Sequence, residues 1–434
     1  MTPTARISAA IEVLADIAER RRPAGDALKD WGLAHRFAGS GDRAAIAGLV
    51  YDALRRRASS AWIMGDDTPR ALALGMLARE RSLGIAAIEQ LFDGGRFAPQ
   101  PLSDDERTRL GETSLDSAPP HVRGDYPEWL DAHFSRAFGE ERAEEGAALA
   151  ARAPLDLRAN TLKGDRDAAA LSLSDLHPDL TRWSPHGLRL VLAPDARSPA
   201  VHAEPAYIKG LIEVQDEGSQ LAALFAAAKP GEQVIDLCAG AGGKTLALAA
   251  DMANKGQLIA TDTDKRRLAP IHDRLDRAGV RNVQVRTPRR EEDVLADMVG
   301  KADLVVIDAP CTGTGAWRRN PDAKWRMRPG ALEQRQKDQT EALDHAARLV
   351  RPGGRIAYIT CSVLPDENGD QVRAFTGRHP GFTVAPAADV VAPLGKRGFM
   401  FQRAAMLGDE GVLMTPRRTD TDGFFVSLIR RLVV

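Results

Sequence analysis

The sequence predicts an α/β fold: a mostly parallel sheet with helices on both faces, preceded by a small α+β module and an all-α N-terminal region. Three observations carry this. From about residue 211 onward, short hydrophobic runs alternate with helical patterns, the order that builds parallel sheets. Residues 1 to about 97 show only the three-and-four apolar spacing of helices. Between them, beyond Pro154, the texture changes to short strands and turns, LDLRANTL and LRLVLA. The expected boundaries are 1–125 for the helical region and its linker, 126–210 for a helical connector and the α+β module, and 211–434 for the α/β domain.

In the helical region Ile7, Ile11, Leu14 and Ile17 share one face, and Ala44–Arg57 repeats the pattern through Ile46, Val50, Tyr51 and Leu54. Thr68-Pro69 reads as an N-cap with proline at the first helical position. Ile85–Phe92 stops at Gly94-Gly95, and Ser103 with Glu106 spells a capping box in a proline-rich linker. Arg55-Arg56-Arg57 reads either as a solvated helix face or as the edge of an RNA-binding surface. Helices are expected over Pro127–Phe138 and Glu140–Ala151. In the α/β domain the strands are Gln233–Leu237, Gln257–Thr261, Val283–Arg286, Leu304–Ile307, Arg355–Thr360 and Phe424–Ile429. The helices are Thr245–Met252, Arg266–Ala278, Ala331–Val350 and Glu367–Arg378.

The chain has 434 residues, 44% hydrophobic and 27% charged, with formal net charge −1. Any nucleic-acid surface must therefore be local. Three cysteines build no disulfide framework. MTPTARISAA lacks a signal-peptide pattern, and no apolar run reaches the roughly 18 residues of a membrane span. The expectation is a cytoplasmic monomer with no membrane or metal site.

Ligands of parallel sheets bind beyond the carboxyl ends of the strands, where all three cysteines fall. VIDLCAGAGGKT is a strand, a glycine loop and a helix start. Gly243-Lys244-Thr245 matches the end of a Walker loop, but Cys238 stands where that motif needs glycine. A dinucleotide loop needs a third glycine where Thr245 stands. S-adenosylmethionine remains, since its folds accept D-x-x-x-G-x-G, here Asp236 through Gly240 to Gly242. Asp262, ending the next strand, suits the ribose hydroxyls.

LVVIDAPCTGTGAWRRNPDAK places Cys311 after one strand, and Cys361-Ser362 follows another. Each thiol alone fits a small buried hydrophobe. Two at strand ends beside a methyl-donor loop fit covalent catalysis at pyrimidine C5. A thiolate added at C6 makes C5 nucleophilic; Asp308 is placed to hydrogen-bond N3 and the amino group of cytosine. Exocyclic-amine methylation would favour an Asn/Asp-Pro-Pro-aromatic run, which Ala309-Pro310-Cys311 does not match.

DAPCTGTGAWRRNPDAKWR and YITCSVLPDENGDQV resemble signature motifs of the NOL1/NOP2/Sun family of RNA cytosine-5 methyltransferases. IDLCAGAGGKT, GLIEVQDEGSQLAA, LRANTLKGD and DGFFVSLIRR extend the resemblance over roughly residues 154–434. SGDRAAIAGLVYDALRRR resembles the NusB-like RNA-binding domain of bacterial members acting on small-subunit ribosomal RNA. The resemblance implies a Rossmann-like S-adenosylmethionine-dependent domain. It makes Cys361 the nucleophile at C6 and Cys311 the residue assisting release, with Asp308 and Lys244 beside the base. Cys238, Ala239, Gly240, Ala241, Gly242, Gly243, Lys244, Asp262 and Asp308 would line the cofactor. Two departures stand out. Gly240-Ala241 replaces the family's Ala-Pro, and the aspartate expected near the adenine after strand three is missing, with Thr287 or Pro288 in its place, which leaves adenine recognition to backbone groups or to Glu291 or Asp293.

Residues 311–337 hold Arg318, Arg319, Lys324, Arg326, Arg328, Arg335 and Lys337 against Asp322 and Glu333, with Trp317 and Trp325 among them. This mix suits phosphate contact and base stacking, although the tryptophans equally suit packing within the loop. The expected substrate is an unpaired cytosine in small-subunit ribosomal RNA. The alternatives are tRNA, or a non-catalytic RNA-binding or assembly factor that retains the fold.

Overall fold

A computed structural model describes residues 1–192, 199–289 and 292–433. The chain divides into two units. Among the described residues, the first comprises 1–152 and 317–328, and the second comprises 153–192, 199–289, 292–316 and 329–433.

The first unit is helical. Ile7, Val13 and Leu14 of Pro3–Arg20 pack with Ile46 and Val50 of Ser40–Arg55 and with Leu74 of Pro69–Arg79. The Thr68 hydroxyl accepts from the Ala71 amide, with Pro69 at the first helical position as expected. Ser103 and Glu106 form the reciprocal capping box. Helix Pro69–Arg79 is buried from Ala71 to Leu77. Gly75 is required there, because a Cβ would meet the Ser60 Cα at 2.6 Å on helix Arg57–Met64. Between Leu91 and Gly94, Phe92 and not a glycine caps the helix.

Two charged expectations change in this unit. Arg55 and Arg56 are not a solvated face. Arg55 pairs with Asp52 and Arg56 with Glu80, and burial pushes the Arg55 guanidinium down to about 10. Residues 317–328 fold in among these helices and do not form a free basic loop. Trp317 is buried and stacks on Phe134 at 5.8 Å, and Trp325 donates to the Leu54 carbonyl at 2.6 Å. Lys324 is fully buried, donating to the carbonyls of Arg55 at 2.9 Å and Asp125 at 2.6 Å. Arg55 in turn donates to the Arg318 carbonyl at 2.6 Å. Of the two uses weighed for these tryptophans, packing is the one realised.

The second unit holds two sheets. A small antiparallel sheet has the order β2-β3-β1-β4, from β1 (Leu155–Ala159), β2 (Asp179–Leu180), β3 (Gly187–Leu190) and β4 (Ile212–Val214). The large sheet contains β5 (Gln233–Asp236), β6 (Gln257–Ala260), β7 (Val283–Val285), β8 (Ala302–Asp308) and β9 (Val350–Thr360). It continues with β10 (Phe382–Val384), β11 (Met406–Gly408), β12 (Gly411–Met414) and β13 (Phe424–Arg431). Its order is β11-β12-β13-β9-β8-β5-β6-β7, with β10 on β13. Strands β5 to β9 form the parallel part, and β13 joins β9 antiparallel.

Val234, Ile235, Leu304, Val305, Val306, Ile307, Ile356 and Ile359 are all fully buried, as continuous hydrophobic runs of a two-faced sheet require. The helix expected over Arg266–Ala278 is two helices, Lys265–Leu268 and Ile271–Ala278, because Pro270 cannot continue the hydrogen-bond ladder. The unexpected strands β10 to β12 are three or four residues long and lie at the antiparallel side. Among the described residues no helix is long and apolar enough to cross a membrane.

Candidate active site

Strands β5, β8 and β9 are parallel neighbours, so the segments leaving their carboxyl ends lie side by side. Those segments carry the glycine loop, Asp308–Cys311 and Cys361. The sheet thus gathers residues that the sequence spreads over more than a hundred positions.

After β5 the chain turns through Leu237–Gly242 into helix Gly243–Asp251. Gly242 caps that helix at φ +86°, and a Cβ there would meet Ile271 Cγ1 at 2.5 Å, so only glycine fits. The Ala239 amide donates to the Thr261 carbonyl at 2.9 Å, and Arg274 donates to the Ala241 carbonyl at 2.8 Å. The Gly240 amide donates to Asp262 Oδ2 at 2.9 Å, while Asp262 Oδ1 accepts from the Asp264 amide at 2.9 Å. Asp262 is therefore fixed against the loop it was expected to serve. Asp236 accepts from the Thr245 hydroxyl at 2.7 Å, and burial raises its carboxyl to about 7. Burial, reinforced by Asp236, Asp308 and Asp262, pushes the Cys238 thiol well above its ordinary range. That suits a neutral lining residue and not a nucleophile.

Lys244, on the first turn of the helix, pairs with Asp308 at the end of β8, 2.8 Å apart. Lys244 is buried and Asp308 half-buried, and the ammonium lies 5.0 Å from the centre of the Phe424 ring. Cys311 and Cys361 are brought to a sulfur–sulfur distance of 3.3 Å and are both partly accessible. The hydrogen bond with Cys361, then burial and the nearby Cys361 and Glu367, raise the Cys311 thiol well above its ordinary range. Either sulfur can donate in this contact.

The two thiol loops are tied to each other. The Gly315 amide donates to the Cys361 carbonyl at 2.9 Å, and the Val363 amide donates to the Thr314 hydroxyl at 2.9 Å. Asn368 donates to the Ser362 carbonyl at 2.9 Å. Glu367, fully buried, accepts from the Thr312 amide at 2.8 Å and from Gln339 at 3.0 Å. The sequence reading did not single out Glu367 or Gln339. Glu367 lies inside the YITCSVLPDENGDQV motif, six residues past Cys361, and its membership of that motif is the only signal the sequence carries, since its donors come from distant segments.

Where an aspartate was expected after β7, Thr287 borders an open cavity of about 440 Å³ with Lys265, Arg266, Leu268, Ala269 and His272. Of the two substitutes, Asp293 accepts from the Leu295 amide at 3.0 Å and from Arg348 at 3.4 Å. Glu291 lies outside the described residues.

Comparison with known proteins bears on this arrangement. Residues 223–430 match the family model described as 16S rRNA methyltransferase RsmB/F. A ribosomal RNA small subunit methyltransferase B of Sodalis glossinidius is 33% identical over 306 residues, covering 70% of this chain and 65% of that protein. The protein of the same name from Salmonella typhi is 35% identical over 282 residues, covering 63% and 62%. The chain thus spans just under two thirds of the length of these curated relatives. The solved structure of PH0851 superposes with a TM-score of 0.73 at 25% identity, over 99% of each chain.

Proposed function

We propose that this chain, whose residues 223–430 match the 16S rRNA methyltransferase RsmB/F model, is a NOL1/NOP2/Sun-type enzyme that transfers a methyl group from S-adenosylmethionine to C5 of a cytosine in small-subunit ribosomal RNA. The observation that carries this reading is the thiol pair, 3.3 Å apart at the ends of adjacent parallel strands, beside the Lys244–Asp308 pair. A lone buried cysteine needs no such partner. Two in contact match a bond that must be made and then broken.

The residues present fit the cofactor. Asp236 Oδ1 is buried with no hydrogen-bond partner among the described residues, directly before a loop that excludes side chains at Gly242. Residues Cys238–Lys244 and Asp262 would hold it, and when bound it supplies an electrophilic methyl group on a sulfonium.

The chain's own groups then do the following. Asp308 receives the amino group and N3 edge of the flipped cytosine, with Lys244 fixing its orientation. The Cys361 thiolate adds to C6, and its electron pair passes through the 5,6 double bond to make C5 nucleophilic. Once C5 carries the methyl group, a water molecule takes the C5 proton, the C5–H electron pair re-forms the 5,6 double bond, and the C6–S bond breaks with its electron pair on Cys361. The Cys311 thiol, 3.3 Å away, donates a hydrogen bond to that departing thiolate.

The helical first unit serves as an RNA-binding module in this proposal, with the chain acting as a monomer. Bisulfite sequencing of RNA from a deletion strain tests the substrate. A small-subunit ribosomal cytosine should lose its methyl group and regain it on complementation. Loss in tRNA instead would redirect the proposal, and no loss in any RNA would reject it.

A further inference from the structure

The thiol pair depends on a contact that its own chemistry does not explain. Cys311 is bracketed on both sides by groups from other segments. Before it, the Pro310 carbonyl accepts from Gln339 at 3.0 Å, on the long helix Pro329–Leu349. After it, the Thr312 amide donates to Glu367 Oε1 at 2.8 Å and the Thr312 hydroxyl to Oε2 at 2.5 Å. The same Gln339 amide donates to Glu367 at 3.0 Å. Glu367 thus binds the residue following Cys311 and, through Gln339, the residue preceding it.

We propose that Glu367 is a positioning residue for the two-thiol chemistry, holding the Pro310–Thr312 turn so that the Cys311 sulfur stays against the Cys361 sulfur. This rests on the covalent mechanism above. Burying a carboxylate costs several kcal/mol unless its lone pairs are filled; burial raises the Glu367 carboxyl, and the Thr312 and Gln339 donors oppose that rise. Such a site is kept for placement and charge, since neutral residues would pack the same volume without that cost. The charge has a direction. A negative group this close opposes a second negative charge on Cys311, which favours the proton staying there. The titratable groups facing Cys311 are Cys361, Glu367 and the buried Tyr358, whose hydroxyl donates to the Glu367 carbonyl oxygen at 2.6 Å. The long helix presents the neutral Gln339.

Glu367→Gln keeps the shape and removes the charge. The test is alkylation of the free protein by iodoacetamide across pH 6–10, with Cys311 and Cys361 quantified separately by peptide mass spectrometry. The Cys311-to-Cys361 rate ratio at pH 8 should rise severalfold, with the Cys311 alkylation profile moving to lower pH. A ratio and pH profile equal to the wild type overturn the proposal. If the variant fails to fold, Thr312→Val, which cuts one tether, takes its place. The ratio should again rise, and an unchanged ratio overturns the proposal equally. Neither RNA nor cofactor is present in this measurement, so it stands even if the methylation target is wrong. With substrate RNA, decay of the covalent adduct should also slow in Glu367→Gln.

Discussion

Replacing Lys324 by methionine keeps the length of a fully buried side chain and removes its titrating nitrogen. In the folded protein, burial pushes this lysine from 10.5 down to about 7, with Asp125 opposing the shift and Arg56 and Arg55 adding to it. Between those two values the unfolded chain holds a proton that the folded chain lacks. Stability of the helical unit must therefore rise with pH across that window, and fall as pH drops towards 7. At about 1.4 kcal/mol per pH unit, the wild type should gain about 2–3 kcal/mol on the Lys324→Met variant between pH 7.5 and 9.5. The difference between the two proteins removes the contribution of every other titrating group. Tryptophan fluorescence during urea unfolding suits the measurement. Five of the six tryptophans, Trp31, Trp62, Trp129, Trp317 and Trp325, belong to the helical unit. A stability difference that is the same at both pH values would refute the placement of Lys324 as a buried, carbonyl-bound amine.

Three other substitutions probe the catalytic unit. Asp236 carries a carboxyl raised to about 7, so its contribution is present at low pH and lost as pH rises towards 7. Asp236→Asn should therefore stabilise the unit by about 2–4 kcal/mol at pH 8 and by little at pH 4, as read by urea titration. Gly242→Ala forces a Cβ into Ile271 at φ +86°, and should cost about 1–3 kcal/mol in the same titration. Asp308→Ala leaves Lys244 without its carboxylate, and methyl transfer should fall by about 100-fold or more in a labelled-methyl assay.

What the sequence could reveal followed from how each feature is encoded. Strands β5, β6, β8 and β9 are buried on both faces, so their hydrophobic runs are continuous and visible without alignment. The glycine loop and the strand-end cysteines are local patterns, and the sheet order then brought their positions together. Lys324 and Arg55 were misread because a charged residue in a linear sequence looks solvated. Their burial depends on carbonyl acceptors more than 260 positions away. Glu367 was passed over for the same reason: its donors, Thr312 and Gln339, lie 55 and 28 positions distant. Strands β10 to β12 are too short to show a period of two; β10 and β12 form on β13, and β11 on β12.

The division of labour between the two thiols is the centre of the account, and one experiment reads it directly. Cys311→Ala and Cys361→Ala proteins are incubated with cofactor and small-subunit ribosomal RNA, then resolved under denaturing conditions. The Cys311→Ala protein should carry RNA in a covalent complex, because the bond to C6 forms and its release is impaired. The Cys361→Ala protein should carry none and transfer no methyl group. A denaturant-resistant complex with Cys361→Ala, and none with Cys311→Ala, would contradict the assignment.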